Sequence, residues 1–341
     1  MYSESDIDDA IVAGELSAEA AWRFRRFVAS RRATPAVEEE QVRLLSGFND
    51  IFISIAIALS LAAVAGIGGA VSFMLAGALV AGASWLLAEH FTARRKAALP
   101  SVLLALAFVG GAAATCAGLV GQIEANLSPR GAALAGAGVA LAAAAAAWTH
   151  WRRFAVPIAV AAGALASVAV ALCLVLAVAP AAERAIQPLL LAAGLALFLL
   201  AMRWDLSDRE RRTRRADVAF WLHLAAAPLI AHPIFRILGV FDADVGAGTA
   251  FVVVALYAMF AVLALAIDRR ALLVSGLAYV LSALVALFRG AGAVELGWSF
   301  TALVIGSALL TLSAFWHPMR RAIVSRLGGW GERLPPVALA G

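Results

Sequence analysis

The sequence predicts an all-α fold: a polytopic membrane helix bundle of about ten transmembrane helices, with the N-terminus and the C-terminus both cytoplasmic. Hydrophobic residues make up 63% of the 341-residue chain and charged residues only 14%, whereas soluble domains carry about 25% charged residues. The apolar residues come in runs of about 18–26, long enough to cross a bilayer. Lys and Arg are concentrated in alternate connections between those runs.

The distribution of basic residues predicts the topology. With ten crossings and the N-terminus inside, all but four of the 27 Lys and Arg residues fall on the cytoplasmic side, the pattern of inner-membrane proteins. The exceptions lie in or beside four outer turns: Arg130, Arg184, Arg236 and Arg289. Because the basic residues form no patch interleaved with aromatics, the pI of about 10.0 reflects topology, and nucleic acid is not a predicted partner. A multi-pass protein of the bacterial inner membrane is predicted.

Three regions follow along the chain. Residues 1–48 predict a small cytoplasmic helical segment, too short for a sizeable core of its own, and without a signal peptide. Residues 49–316 form the transmembrane domain. Residues 317–341 predict a cytoplasmic amphipathic tail on the inner leaflet, with its arginines opposite an apolar face. Those arginines are Arg320, Arg321 and Arg326.

The apolar runs predict the individual spans. They are 50–66, 69–89, 99–120, 130–149, 154–178, 186–203, 217–238, 249–267, 270–288 and 296–315. Basic clusters recur at the period of two spans, which fits either plain hairpin geometry or an internal repeat of the kind found in transporters. The third and fourth spans are rich in Gly and Ala, so both are predicted to lie centrally, where helix backbones approach closely.

The seventh span is unusually polar for a membrane helix. Its ionisable residues and prolines are Asp217, His223, Pro228, His232, Pro233 and Arg236. On an ideal helix Asp217 and His232 share a face, and His223 points elsewhere. Ionisable groups at membrane depth usually face a cavity or a partner, and prolines free backbone carbonyls of the kind that line transporter sites. The pattern indicates a polar path or a proton relay through the two histidines. In the alternative interpretation the end charges sit at the interfaces and the histidines bond to neighbouring helices.

Two further residues are candidates for the same polar path. Asp50 lies at the predicted inner mouth of the first span, and Glu124 at the outer end of the third; either also fits a solvated charge at a membrane boundary. Cys116 and Cys173 lack metal-ligand spacing. The chain contains no phosphate-binding loop, nucleophile elbow or paired-carboxylate motif. No catalytic residue, metal or cofactor is therefore predicted.

Three stretches, residues 13–19, 47–52 and 213–223, resemble uncharacterised polytopic bacterial inner-membrane proteins. In that family a short helical N-terminal segment precedes a many-span domain. The resemblance implies the location and the architecture of most of the chain, and it assigns no role to any residue.

These observations favour two functions. The first is transport or permeation along a polar seventh span. The alternative is a non-catalytic membrane scaffold or sensor that docks a cytoplasmic partner through residues 1–48. An intramembrane enzyme acting on a lipid-linked substrate is a third, less favoured hypothesis. The predicted partners are the lipid bilayer and either a cytoplasmic protein or a second copy of the chain.

Overall fold

The computed structural model describes residues 11–24, 48–123, 127–209, 211, 213–239, 247–270, 297–329 and 334–335, with scattered residues between 272 and 285. The regular elements in this part of the chain are helical. The helices are α1 (Phe48–Gly69), α2 (Phe73–Ala88), α3 (Ala98–Ile123), α4 (Pro129–Phe154), α5 (Pro157–Val178), α6 (Ile186–Leu206), α7 (Arg214–Ile237), α8 (Ala247–Ile267), α9 (Gly297–Ala314) and α10 (Trp316–Arg326). A π-helical turn, Glu89–Arg94, extends α2, and a 3-10 turn, Pro180–Ala185, precedes α6.

Seven of the described helices, α1 to α7, are long and apolar enough to cross a membrane, and they coincide with the first seven predicted spans. The count is eight if Ser299–Ala314 and Trp316–Arg326, which are bent by 73°, form one broken span. A shorter apolar helix, Phe251–Ile267, lies at the eighth predicted span, and most of the ninth lies outside the described residues. The prediction of an all-helical fold with several membrane-spanning helices is confirmed. The count of ten and the cytoplasmic termini stay predictions.

Local sequence signals set the helix ends. The Ser72 hydroxyl accepts a hydrogen bond from the Leu75 amide at 3.1 Å, and Ser128 accepts one from the Gly131 amide at 3.1 Å. Both serines therefore cap the first turn of a helix. Ala155 adopts a left-handed conformation, φ 52°, which ends α4 just before a proline begins α5. The α4–α5 hairpin is thus defined by its own sequence.

Glycines bring α2 and α3 into close contact. A Cβ atom on Gly77 would lie 2.5 Å from the Thr115 amide nitrogen, and one on Gly118 would lie 2.5 Å from the Met74 nitrogen. The helix α3 packs against α1, α2, α4 and α5, which is the predicted central position. The helix α4 differs, because it packs mainly against α3 and α5 and leaves Leu134 and Leu141 56% and 60% exposed. Its alanines line the contacts, and its leucines face outward.

The helix α7 is the most enclosed of the seven. In the most apolar stretch of α7, 56% of the residues are buried, against 17–22% in the corresponding stretches of α1 to α6. It packs against α5 and α6, and Ala231 and Phe235 share a core with Val253 of α8. The helix remains continuous although it contains two prolines.

A glycine accommodates one of those prolines. Pro233 has no amide hydrogen, so the carbonyl of Leu229, four residues earlier, loses its helical donor. Gly194 of α6 lies directly against that carbonyl, and a Cβ atom at Gly194 would be 2.9 Å from the oxygen. The close approach of α6 to α7 thus depends on a residue without a side chain.

Candidate functional site

The strongest candidate site is a buried ion pair at the end of α6. Asp205, in the last turn of α6, accepts two hydrogen bonds from Arg269, one from Nε at 3.0 Å and one from Nη2 at 2.6 Å. The two side chains are 1% and 2% exposed. Arg269 Nη2 also donates to the carbonyl of Ala216, in the first turn of α7, at 3.2 Å. The guanidinium therefore ties α6 and α7 to the segment that follows α8.

Arg269 reaches this position because of the turn that ends α8. Asp268 adopts a left-handed conformation, φ 58°, and the Arg269 amide donates to the Ala264 carbonyl at 2.8 Å. A left-handed residue of this kind is a common helix stop, and Asp tolerates it better than most residues. Because of this turn, the two adjacent charged side chains have different partners. Arg269 pairs with Asp205 of α6, and Asp268 pairs with Arg211 and Trp316.

Asp268 receives donors from two directions. Arg211, in the connection between α6 and α7, donates from Nη1 to Oδ2 and from Nη2 to the Asp268 carbonyl, both at 2.9 Å. The indole nitrogen of Trp316, at the start of α10, donates to Oδ1 at 2.7 Å. Arg320 Nε lies 3.6 Å from the same oxygen. We call the seven residues involved the polar network. They are Asp205, Arg211, His223, Asp268, Arg269, Trp316 and Arg320.

His223 completes the network from α7. Its side chain is fully buried, and its Nε2 atom lies 3.6 Å from Asp205 Oδ2, beyond hydrogen-bond distance. Among the described residues neither ring nitrogen has a hydrogen-bond partner. The Phe198 ring of α6 packs across the imidazole, with the ring centres 5.2 Å apart. An imidazole so placed can accept or donate a proton next to a carboxylate that is already paired.

The network links five parts of the chain at one end of the bundle. These parts are α6, the connection between α6 and α7, α7 itself, the turn after α8, and α10. Buried ion pairs contribute little net stability, because desolvation offsets their attraction, yet removing one partner is costly. The network therefore holds this end of α7 in one arrangement, and movement there requires charges to exchange partners.

The helix α10, at the start of the predicted tail, packs against the end of α8. Its Trp316 and Arg320 side chains are each 2% exposed, and Arg320 Nη2 donates to the Pro335 carbonyl at 2.6 Å. The 73° bend after α9 carries α10 across the end of α8, where Asp268 accepts its donors. Arg320 is therefore buried against Asp268, whereas Arg321 and Arg326 are exposed, and the amphipathic tail on the inner leaflet stays a prediction.

The structure places the six predicted site residues in different surroundings. His223 belongs to the network, and Asp217 is half-buried beside Ala216, within electrostatic range of Arg269. His232 is half-buried and Arg236 exposed towards the other end of α7, and each has an interaction there. Asp50 is buried on α1, which packs against α2 and α3. The sixth, Glu124, lies outside the described residues.

The helical face predicted for the polar path is the less buried face of α7. Asp217, Trp221 and His232 are half-buried there, and Pro228 is exposed, whereas His223 lies on the fully buried side. The sequence analysis did not single out Asp205, Asp268 or Arg269. The available signal was that α6 and α8 each have an aspartate at their end, Asp205 and Asp268, at positions where basic residues were expected.

A second buried histidine lies outside this site. His150 of α4 is fully buried, and neither ring nitrogen has a hydrogen-bond partner among the described residues. The rings of Trp85, Phe108 and Phe154 surround it, with centres 4.7–6.4 Å from its own. Nearby, Arg153 forms a bidentate pair with Glu89, in which the side chains are 51% and 34% exposed. Both features provide matched comparisons for the network.

The fold and the network fit one class of protein, a multi-pass helical membrane protein with an ionic cluster at one end of its most enclosed helix. Among the described residues no group of three or more His, Cys, Asp or Glu side chains is placed to hold a metal ion. Comparison with protein-family models, curated proteins and solved structures finds no match to this chain. The resemblance drawn from three stretches of sequence stays a prediction.

The hydrogen bond from Trp316 should contribute measurably to stability. Replacing Trp316 by Phe removes the donor to Asp268 and keeps an aromatic ring in place, so we expect a loss of about 1 kcal/mol in the free energy of unfolding. Arg211 keeps Asp268 paired, which limits the loss. Trp148→Phe is the matched control, because Trp148 is 60% exposed. Denaturant titration in detergent micelles measures both, and equal effects would contradict a role for this bond.

Proposed function

We propose that the protein is a membrane transport protein of the bacterial inner membrane, with a polar route along α7 and the polar network as its closure at one end. The observation that supports this most is the character of α7. It is the most enclosed of the spanning helices, and it contains two histidines, an aspartate, three arginines and two prolines. Soluble substrates cross a bilayer only where polar groups and freed carbonyls replace their hydration.

The polar network could act as a closure because its ion pairs are buried and its charged groups have alternative partners. Asp205 and Asp268 are each shared between groups from different elements. Opening this end of α7 would separate Arg269 from Asp205 and would free α6 to move. The cost of separating the pair is lowered if a second acceptor is near. With both termini cytoplasmic, the network would lie at the cytoplasmic side.

Cysteine accessibility along α7 tests the proposal. With Cys116 and Cys173 replaced, single cysteines from residue 217 to residue 236 are challenged with membrane-impermeant thiol reagents from each side. We expect labelling of one helical face at mid-membrane positions such as Leu224, because a transport route contains water. Ala58→Cys on α1 is the control, since Ala58 is exposed at the middle of a spanning helix and should face lipid. Protection of all positions except the two ends would overturn the proposal.

The second candidate function is a scaffold or sensor that docks a cytoplasmic protein. The N-terminal residues 11–24 favour it, because Val12 and Phe24 are 88% and 49% exposed there. A soluble segment that exposes apolar side chains is a typical interaction site. Protection of mid-membrane cysteines along α7 would support this function over transport.

A further inference from the structure

We propose that His223, Asp205 and Asp217 form a proton-binding site, at which uptake of one proton by His223 transfers Arg269 from Asp205 to Asp217. The inference rests on the proposed transport function and deepens it, because it makes the proton the ion that operates the closure. Its experiment is independent of the cysteine test, so each proposal can fail alone.

The first step is the unpaired imidazole. His223 is fully buried with neither ring nitrogen bonded among the described residues, and its Nε2 atom is 3.6 Å from an Asp205 oxygen. Buried polar atoms are rarely left unpaired, and each such atom calls for an explanation. A small rotation of the ring would bring Nε2–H to Asp205 Oδ2, the oxygen that already accepts from Arg269 Nε.

The second step is competition for one carboxylate. Asp205 has one negative charge, and Arg269 already pairs with both of its oxygens. A proton taken from water converts His223 into a second cation at this carboxylate. Two cations with one anion in a poorly solvated site are unfavourable. One of them must find another partner, and Arg269 already reaches the first turn of α7, where Asp217 lies.

The third step is the alternative acceptor. Arg269 already donates to the carbonyl of Ala216, the residue before Asp217, and its charge acts on the Asp217 carboxylate. Asp217 is half-buried, so an Arg269–Asp217 pair would be better solvated than the present one. Proton uptake would thus replace the buried Arg269–Asp205 pair by two pairs. These are a buried His223–Asp205 pair and a more accessible Arg269–Asp217 pair.

Among the described residues, few other ionisable groups act on His223. Arg211 acts on the imidazole from the connection between α6 and α7, and Arg269 from the turn after α8. Asp205 faces it from α6, and Asp217 lies on its own helix. The helix α5, which packs on α7, contains no ionisable side chain except Cys173. A change in the protonation of His223 therefore acts mainly on the Asp205–Arg269 pair.

The exchange would be transmitted to α10. Arg269 is joined to Asp268 in the same turn, and Asp268 holds Arg211 and Trp316. A shift of Arg269 towards Asp217 moves this turn away from α6, and the contacts of Asp268 must adjust. Proton uptake would in this way loosen the whole end of α7.

Histidine NMR of the full chain in lipid vesicles tests the site without a known substrate. The protein is labelled with ¹⁵N-histidine, and the neutral and protonated ring signals are followed as the pH is varied. His223→Gln identifies the signal of His223. His150→Gln is the control, because His150 is equally buried and lies among aromatic rings. We expect the signal lost in His223→Gln to titrate, and His150→Gln to leave that titration unchanged.

The variant Asp217→Asn tests the transfer of Arg269. Because Asp217 accepts Arg269 in the protonated state, we expect protonation of His223 to require about a tenfold higher proton concentration in Asp217→Asn, the size of one charge interaction near a surface. Asp217→Glu should restore the wild-type titration. Asp217 is half-buried, and circular dichroism checks the fold of each variant. A His223 signal that stays neutral from pH 4 to pH 9, or one indifferent to Asp217→Asn, would overturn the inference and leave cysteine labelling along α7 unaffected.

Discussion

Replacing Asp205 by Ala should lower the free energy of unfolding by about 3–5 kcal/mol, because it leaves a buried guanidinium without its carboxylate. The Asp205 and Arg269 side chains are 1% and 2% exposed and share two hydrogen bonds. After the change, the Ala216 carbonyl at 3.2 Å would be the remaining acceptor shown for Arg269. Titration of the purified protein from mild micelles into SDS, followed by circular dichroism, measures the loss.

Glu89→Ala is the matched control for burial. Arg153 donates to the two Glu89 oxygens at 2.9 Å and 2.6 Å, nearly the geometry of the Asp205 pair. Its side chains are 51% and 34% exposed, so solvent screens the attraction, and we expect a loss below about 1 kcal/mol. Equal losses for the two variants would contradict the interpretation that burial determines the cost.

A double variant separates the pair from its surroundings. When Asp205→Ala is combined with Arg269→Met, no unpaired charge remains, and most of the lost stability should return. The double variant should nevertheless lose the pH-dependent behaviour proposed for the network. Stability and control would then be shown to be separate properties of the same pair.

The helices could be predicted because their signal is local. Each of the first seven spans is a continuous apolar run between polar connections, and the thickness of a bilayer sets its length. The helix ends also follow from nearby residues, such as the capping Ser72 and Ser128. The predicted central position of the fourth span was less accurate. Small residues indicate that a helix packs closely, but they do not indicate how many neighbouring helices it contacts.

The polar network could not be predicted because its signal is not local. Asp205 and Arg269 are 64 residues apart, and no periodicity connects them. A basic residue after an apolar helix predicts topology. Because topology accounted for Arg269, no buried partner was predicted for it. His223 was placed away from the other polar residues of α7, and the structure agrees. Its partner comes from α6 instead, which a single-helix projection does not contain.

Replacing Gly111 by Ala should destabilise the protein by about 2–3 kcal/mol through overpacking. A Cβ atom at Gly111 would lie 2.7 Å from the Ala81 amide nitrogen and 2.8 Å from the Gly77 carbonyl oxygen. Both are backbone atoms of α2, so no side chain can rotate away, and α2 and α3 must separate. Separation would also weaken the contacts of α3 with its other neighbours, because α3 lies between α1, α2, α4 and α5. The same SDS titration measures the effect.

Gly110→Ala is the matched control, because it makes the same substitution in the same helix without affecting the α2–α3 contact. Gly110 is the preceding residue of the same helix, and a Cβ atom there meets nothing within 4 Å. The change in intrinsic helix propensity, about 1 kcal/mol in favour of Ala, is the same at both positions. The difference between the two variants therefore isolates the α2–α3 contact. If Gly111→Ala were as stable as Gly110→Ala, the glycines of α3 would not be needed for close packing.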